Sequence, residues 1–474
     1  MYNAAHFQSW GTRAHITKLL CFTSACYPSN AYRYDVECMS CINKIIDWIV
    51  ILKYPEEFRT SDLQFAYKKN SSTSMCTLAM KEVAKYYTSR NGRVYCCLLD
   101  ASKAFDRVRF DKLFSILQKR NVPSSVIRLM LNMYTRQQVR ACWNGSQSDT
   151  FEVLNGVRQG GVISPILFTV YMDELLDRLE CSGFGCYVGH VYMGSLCSAD
   201  DLSLLAPTLY SLQRLVYICE EFGVEFDILF NARKTASILF NGLYRYVEPP
   251  NISLNGTAIP WQKSVKHLGN MVSCDLSEKE EIHTKQCDFI GRTNSIIAKF
   301  KGVNRRTLSK VFVSQCCHYY GCQAWSLDDN ALASYYTCWR KGVRKLWYIP
   351  NIARSPILPL LVDSKSMEND VISRIANMYN VIQKGYNLKL LTLLKMSIDF
   401  KHMGIMGTNI RIISDRWRCG YKLLVNNNAE QCKPDIKARA EVIKEMTLCL
   451  EKRAVIMDCD QDEVTQLRNY VASY

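Results

Sequence analysis

Six consecutive apolar residues, Val94-Tyr95-Cys96-Cys97-Leu98-Leu99, run straight into a carboxylate, Asp100. The run follows a strong turn signal, Asn91-Gly92, and a polar cluster closes it. That pattern predicts a strand buried on both faces, in the interior of a sheet. A carboxylate at the end of such a strand is unusual, because a buried charge has to be paired or has to bind a metal. A second acidic feature, Ser198-Ala199-Asp200-Asp201, lies between two short apolar stretches, Gly194–Cys197 and Leu202–Ala206. A turn there would project carboxylates from the edge of a sheet. If the two strands are neighbours, three carboxylates converge.

The pattern around these strands is mixed. Thr77–Thr88 reads as a helix, as do Asp111–Arg120 and Ser124–Arg136, the last starting after Pro123 with serines available as caps. Val139–Trp143, the turn Asn144-Gly145 and Thr150–Leu154 predict a hairpin. A loop with Gly156, Gly160 and Gly161 leads past Pro165 into a helix through Leu179. Thr208–Phe222 has apolar residues at helical spacing. Shorter strands are expected at Ala236–Phe240, Ile252–Leu254 and His267–Val272. From Glu278 onward helical patterns dominate. The order is therefore mixed α and β first, then mainly helical, with no internal repeat or low-complexity tract.

Lysine and arginine number 59 against 44 acidic residues, a net charge of +15. Such an excess favours an anionic partner, nucleic acid being the commonest, although a basic protein without a special partner has the same balance. No segment approaches the roughly 18 uninterrupted apolar residues of a membrane span, so no membrane partner is expected. Ile42–Leu52 is broken by Asn43, Lys44 and Asp47 and reads as an amphipathic helix. The 22 cysteines are not placed like a disulfide scaffold. Cys96 and Cys97 sit in an apolar run, and Cys38-x-x-Cys41 has no second pair at zinc-finger spacing. A reduced, intracellular protein is expected.

Clustered acids repel unless a cation holds them. Hard oxygen ligands in small number suit Mg²⁺, which keeps waters and takes substrate phosphates as further ligands. Two such ions roughly 3.5–4 Å apart stabilise the attacking and leaving oxygens of phosphoryl transfer. The plainer reading is also open: an Asp-Asp pair is commonly a solvated turn, and an Asp ending a strand commonly caps the next element.

The motifs themselves go further. Leu98-Leu99-Asp100-Ala101-Ser102-Lys103-Ala104-Phe105-Asp106-Arg107-Val108 resembles the first palm motif of non-LTR (LINE-type) retrotransposon reverse transcriptases. Asn155-Gly156-Val157-Arg158-Gln159-Gly160-Gly161-Val162-Ile163-Ser164-Pro165 resembles their second. Ser198-Ala199-Asp200-Asp201 resembles their aromatic-Ala-Asp-Asp box, Phe230–Thr235 the motif after it, and His267-Leu268-Gly269 the one that grips the primer. Leu63–Thr73 is similar to a worn form of their fingers motif. Six blocks stand in the family's order over about residues 62–275.

The resemblance implies an α+β right-hand polymerase: palm and fingers built on an antiparallel sheet flanked by helices, then a mainly helical thumb. The corresponding divisions are 1–61 unassigned, 62–275 fingers and palm, 276–395 thumb, and 396–474 a helical C-terminal extension. It implies RNA-directed DNA synthesis from an RNA template, a DNA primer and deoxynucleoside triphosphates, with the nucleus as the expected location. Asp100 and Asp200 would hold two Mg²⁺ (or Mn²⁺) ions. Asp201 is expected to support them, because neighbours in an extended chain point to opposite faces. Phe105 would lie beneath the incoming sugar and exclude a 2′-hydroxyl. Gln159, Gly160 and Gly161 would let the backbone approach template and nucleotide. Lys234 is open to two readings, a cation for the leaving pyrophosphate or a surface lysine. His267, Leu268 and Gly269 would meet the primer. Beyond them, Trp339, Val343 and Leu346 share one helical face while Arg340, Lys341, Arg344 and Lys345 take the other. That basic face could track a phosphate backbone or simply be solvated.

Three features depart from the family. Ser198 stands where an aromatic residue usually opens the Asp-Asp box. The Arg-Pro-Ile core of the earlier fingers motif is not recognisable in residues 1–61. The chain starts too close to the palm for an endonuclease domain, so a fragment of an open reading frame is expected. Two readings follow: an active polymerase, or a non-catalytic relic that keeps the fold and binds nucleic acid.

Overall fold

The computed structural model describes residues 41–135, 138–140, 142–143, 146–158, 160–240, 249–352, 354–399 and 404–417. After a first helix, α1 (Cys41–Lys53), comes α2 (Thr73–Thr88), one turn longer than its apolar spacing predicts. The reason is Ser72, whose side chain accepts from the Met75 amide at 3.3 Å and caps the helix before the hydrophobic pattern begins. From Ser74 to Ala84 every residue of α2 is buried, polar ones included. A helix covered all round lies between layers rather than on a surface.

The expected central strand is β1 (Val94–Leu99). After it come α3 (Phe110–Lys119), α4 (Ser124–Thr135) and α5 (Ser164–Cys181). The acidic hairpin is β2 (Ser195–Ser198) with β3 (Asp201–Ala206), followed by α6 (Leu209–Phe226) and β4 (Ala236–Phe240). A short strand, β5 (Trp261–Gln262), completes a five-stranded sheet of order β5-β4-β1-β3-β2. Only the β4–β5 pair is parallel. β1 lies at the centre, with Leu99 opposite Leu202 on β3 and Val94 opposite Phe240 on β4. Cys96 and Cys97 are completely buried there, as small hydrophobes, and the described cysteines are free thiols. Cys38 of the Cys-x-x-Cys pair lies outside the described residues.

The hairpin expected around residues 139–154 forms in two steps. Gln138–Val139 pairs with Phe151–Glu152, and Cys142–Trp143 with Ser146–Gln147; its turn residues, Asn144 and Gly145, lie outside the described residues. His267–Val272, expected as one strand, is instead bent into a hairpin, β6 (Ser264–His267) and β7 (Asn270–Ser273). Leu268 and Gly269 form the turn, at φ 48° and 78°, and glycine makes that second left-handed position free of strain.

The helical half follows as α7 (Lys279–Lys299), α8 (Arg305–Cys316), α9 (Ala331–Trp347), α10 (Met367–Gln383), α11 (Leu388–Asp399) and α12 (Ile405–Trp417). The division expected at residue 395 falls inside α11. The fold is α+β, a sheet flanked by helices with a helical continuation, as expected. Its two halves share one buried core, and α2 joins them. Lys81 reaches both carboxylate oxygens of Glu278 at 2.9 Å and the Ala324 carbonyl at 3.3 Å. The next residue, Glu82, accepts from the Met406 amide of α12 at 3.1 Å. No helix among the described residues is long and apolar enough to cross a membrane.

Candidate active site

Asp100 leaves β1 where a tight turn, Asn231–Thr235, meets the strand's end. Asn231 donates its backbone N–H to the Asp100 carbonyl at 2.8 Å, and the Thr235 hydroxyl accepts from the Asp100 amide at 3.4 Å. The backbone is thus fixed and only the carboxylate faces out. Its Oδ2 is buried without a hydrogen-bond partner, the nearest cation being Lys234 Nζ at 3.7 Å. The lysine side chain is 65% exposed, so this pairing is loose and well screened.

The Asp-Asp box forms the tip of the β2–β3 hairpin. Ala199 and Asp200 make a two-residue turn, with Ala199 in the left-handed region at φ 63°. A non-glycine residue there needs holding in place. The fully buried Gln64 does it, accepting from the Ala199 amide at 3.0 Å and donating to Cys197 Sγ at 3.3 Å. Leu63 and Phe65 add backbone bonds to Cys197 at 2.8 Å on either side. The worn motif Leu63–Thr73 therefore splints the Asp-Asp hairpin, a role that its sequence alone did not announce.

Because β1 and β3 are adjacent, with Leu99 facing Leu202, Asp100 meets the Asp200–Asp201 pair at one end of the sheet. The three carboxylates feel one another. Burial pushes Asp201 up to about 6, and the charges of Asp200 and Asp100 push in the same direction. Asp200 is also raised, first by burial and then by Asp100. Half-buried like charges with an unpartnered oxygen among them form a donor set that a divalent cation would relieve. Among the described residues no three His, Cys, Asp or Glu side chains form a ready-made cage. An open set of carboxylates fits Mg²⁺, which completes its shell with water and phosphate.

Beside the carboxylates lies a cavity of about 380 Å³, lined by Lys103, Phe105, Asp106, Arg158, Gly160, Gly161, Ser164 and Asp200. Phe105 is half-buried and stacked on Phe168, the ring centroids 4.0 Å apart and the planes 18° from parallel. Its carbonyl accepts from Val157 at 2.9 Å, and Gly156 donates to Val108 at 2.8 Å, so the first and second palm-like motifs are laced together. Gly156 is there by necessity: at φ 93°, a Cβ would come 2.9 Å from the Asp106 carbonyl oxygen. Gly160, at φ 79°, has open space around it. Gln159 lies outside the described residues. Arg158 donates to the Met133 carbonyl and lies over the Tyr134 ring. Asp47 of α1 accepts from the Val162 and Ile163 amides at 3.0 and 3.3 Å, at the start of α5. An Asp inside an amphipathic helix gave no sign of this contact.

The remaining candidates lie elsewhere. The His267 imidazole is buried, with Nε2 2.9 Å from Ser203 Oγ on β3, and burial lowers it to about 4. A neutral ring facing the sheet cannot offer its side chain to a nucleic acid, so only the Leu268–Gly269 turn beyond it is presented outward. On α9, Trp339, Val343 and Leu346 are buried as the spacing predicted. Lys341 and Lys345 are exposed, and Arg340 and Arg344 are half-buried. Arg340 bonds Thr337 at 2.7 Å, Arg344 bonds Ser355 at 3.2 Å and Lys345 bonds Asn294 at 2.7 Å. Ser198 is buried at the end of β2.

A family model described as reverse transcriptase (RNA-dependent DNA polymerase) matches residues 27–274. The chain is 30% identical over 171 residues to a retrovirus-related Pol polyprotein of a type-2 retrotransposable element from Drosophila melanogaster, covering 36% of this chain and 16% of that protein. It is 23% identical over 227 residues to an RNA-directed DNA polymerase from the mobile element jockey of Drosophila funebris, covering 46% and 24%. The chain thus spans a small part of these curated relatives. Among solved structures, a telomerase from Candida albicans overlays 83% of this chain and 57% of its own at 10% identity, with a TM-score of 0.39.

Proposed function

Since this chain belongs to the reverse transcriptase (RNA-dependent DNA polymerase) family, matched over residues 27–274, we propose that it is the polymerase of a non-LTR retrotransposon, adding deoxynucleotides to a DNA primer on an RNA template. The observation that carries this reading is the meeting of Asp100, Asp200 and Asp201 at one end of the sheet, beside a cavity floored by Phe105. In the proposed reaction the primer's 3′-oxygen attacks the α-phosphorus of a deoxynucleoside triphosphate, and pyrophosphate leaves. Asp100 and Asp200 would hold two Mg²⁺ ions, which when bound would supply charge stabilisation at the attacking and leaving oxygens. Asp201 adds negative charge behind them. Lys234, tethered loosely to Asp100 at 3.7 Å, would neutralise the departing pyrophosphate.

Phe105 is the candidate sugar gate. Its stacking on Phe168 keeps the ring from swinging aside, so a 2′-hydroxyl would meet a fixed wall. Gly160 and Gly161, with Gln159 between Arg158 and them, would let template and nucleotide lie close to the backbone. Residues 62–275 would act as fingers and palm, and the helices beyond 276 as a thumb whose basic α9 face follows the duplex. A nuclear location, where target DNA lies, goes with this reading.

The test is extension of oligo(dT) on poly(rA) with Mg²⁺, expecting incorporation of dTTP and not of UTP. One observation favours a second reading. Ser198 removes the ring that opens the family's Asp-Asp box, which suits a relic that binds template-primer without extending it. A wild type that binds but stays silent, with Ser198→Tyr silent too, would establish the relic and sink the polymerase reading.

A further inference from the structure

The Leu268–Gly269 turn is held from outside its own hairpin. His267 pairs with Asn270, which leaves Leu268 and Gly269 as a two-residue turn with both residues at positive φ. Such a turn is natural for glycine and unfavourable for leucine, so the surroundings must enforce it. Tyr320, in the segment between α8 and α9, does so. Its hydroxyl donates to the Leu268 carbonyl at 3.1 Å and lies 2.9 Å from Thr73 Oγ1 in the first turn of α2. Its ring lies so close over Gly269 that a Cβ there would come within 2.8 Å of it.

The fit is reciprocal. Gly321, at φ 83°, accommodates the Asn270 side chain, which any Cβ at 321 would overlap. One residue further on, the Met271 amide donates to Glu281 of α7 at 2.8 Å. Each strand of contact thus runs from the β6–β7 hairpin into the helical half. Tyr320 is the point where the turn, α2 and that half meet, and half of its surface remains exposed beside the turn.

We propose that Tyr320 is a positioning residue for the primer's terminal nucleotide, acting through the Leu268 carbonyl. The proposal rests on the polymerase reading and deepens it: on that reading the turn would meet the terminal sugar-phosphate, and Tyr320 fixes where the turn stands. Positioning matters here because a displacement of about 1 Å between reacting atoms can cost on the order of a hundredfold in rate.

Tyr320→Phe keeps the ring over Gly269 and removes only the hydroxyl. It should slow single-turnover extension of a bound primer about tenfold, the usual worth of one hydrogen bond, with nucleotide KM and template-primer affinity within about twofold. A primer carrying a phenyl azide on its last phosphate supplies a readout independent of catalysis. Its photocrosslinking to the peptide containing residues 267–271 should fall in Tyr320→Phe, while thermal unfolding stays at the wild-type temperature. If the wild type extends primers and Tyr320→Phe matches it in both rate and crosslinking, the inference fails and the polymerase reading stands. If neither the wild type nor Ser198→Tyr extends, yet Tyr320→Phe still lowers the crosslink, the polymerase reading fails and the positioning role stands.

Discussion

Of the places where this molecule buries carboxylates, two resolve the cost in opposite ways. At the junction of the halves, Glu278 is fully buried and both of its oxygens meet Lys81, with the Ser326 amide as a further donor at 3.1 Å. At the end of the sheet, Asp100 keeps a buried oxygen with no hydrogen-bond partner, and Asp200 and Asp201 add like charge beside it. The first arrangement is closed and needs nothing more. The second stays open, with only the loose Lys234 contact at 3.7 Å. Burial alone therefore does not mark a functional acid. Nor does one unmatched oxygen, since Glu281 Oε1 lacks a hydrogen-bond partner too; what sets the sheet end apart is that several like charges meet there.

This contrast is easiest to break with substitutions that remove charge. At the sheet end, Asp100→Asn or Asp200→Asn should lower primer extension by about a thousandfold or more, several kcal/mol of transition-state stabilisation. Template-primer binding and thermal stability should hold, since the loss of a like charge relieves repulsion. A lower melting temperature in either variant would show that these acids are structural after all. At the junction the expectation reverses. Lys81→Met strands Glu278 and should cost roughly 3–5 kcal/mol in urea unfolding, and Lys81→Met with Glu278→Leu should recover much of it. Equal destabilisation by the single and double variants would mean that packing, not charge pairing, holds the halves together.

His267 offers a third case, a buried group held neutral. Its folded-state value near 4 lies below the ordinary 6.5 because burial disfavours the imidazolium. Between those values the unfolded chain binds more protons than the native one. Stability is then fully present above pH 6.5 and lost as pH falls toward 4, by roughly 3 kcal/mol. His267→Gln should flatten this part of the profile in urea titrations at pH 4 to 7. A profile as steep as the wild type's would assign the loss to other groups.

The smallest expected effect concerns selectivity. Phe105→Ala should raise the ratio of UTP to dTTP incorporation by about tenfold, as one lost steric contact is worth on the order of 1–2 kcal/mol. Unchanged discrimination in an otherwise active enzyme would remove Phe105 from that role.

The sequence by itself determined the central strands, the helices with strong periodicity and the identity of the acids. Val94–Leu99 and Ala236–Phe240 stand where their apolar runs said, and so do the buried faces of α6 and α9. These are local properties, written in neighbours along the chain, and burial only has to agree with them. What the tertiary structure alone decided was partnership. That Leu99 faces Leu202, that Gln64 splints the hairpin 135 residues away, and that Lys81 meets Glu278 are consequences of packing at long sequence separation. The positive-φ Leu268 has the same origin: a leucine prefers a strand, and Tyr320, more than fifty positions on, holds it in a turn. Local preference is worth a few tenths of a kcal/mol per residue, whereas a buried polar group without its partner costs about 1–3 kcal/mol. At the site, therefore, contacts between distant residues outweighed what each segment preferred alone.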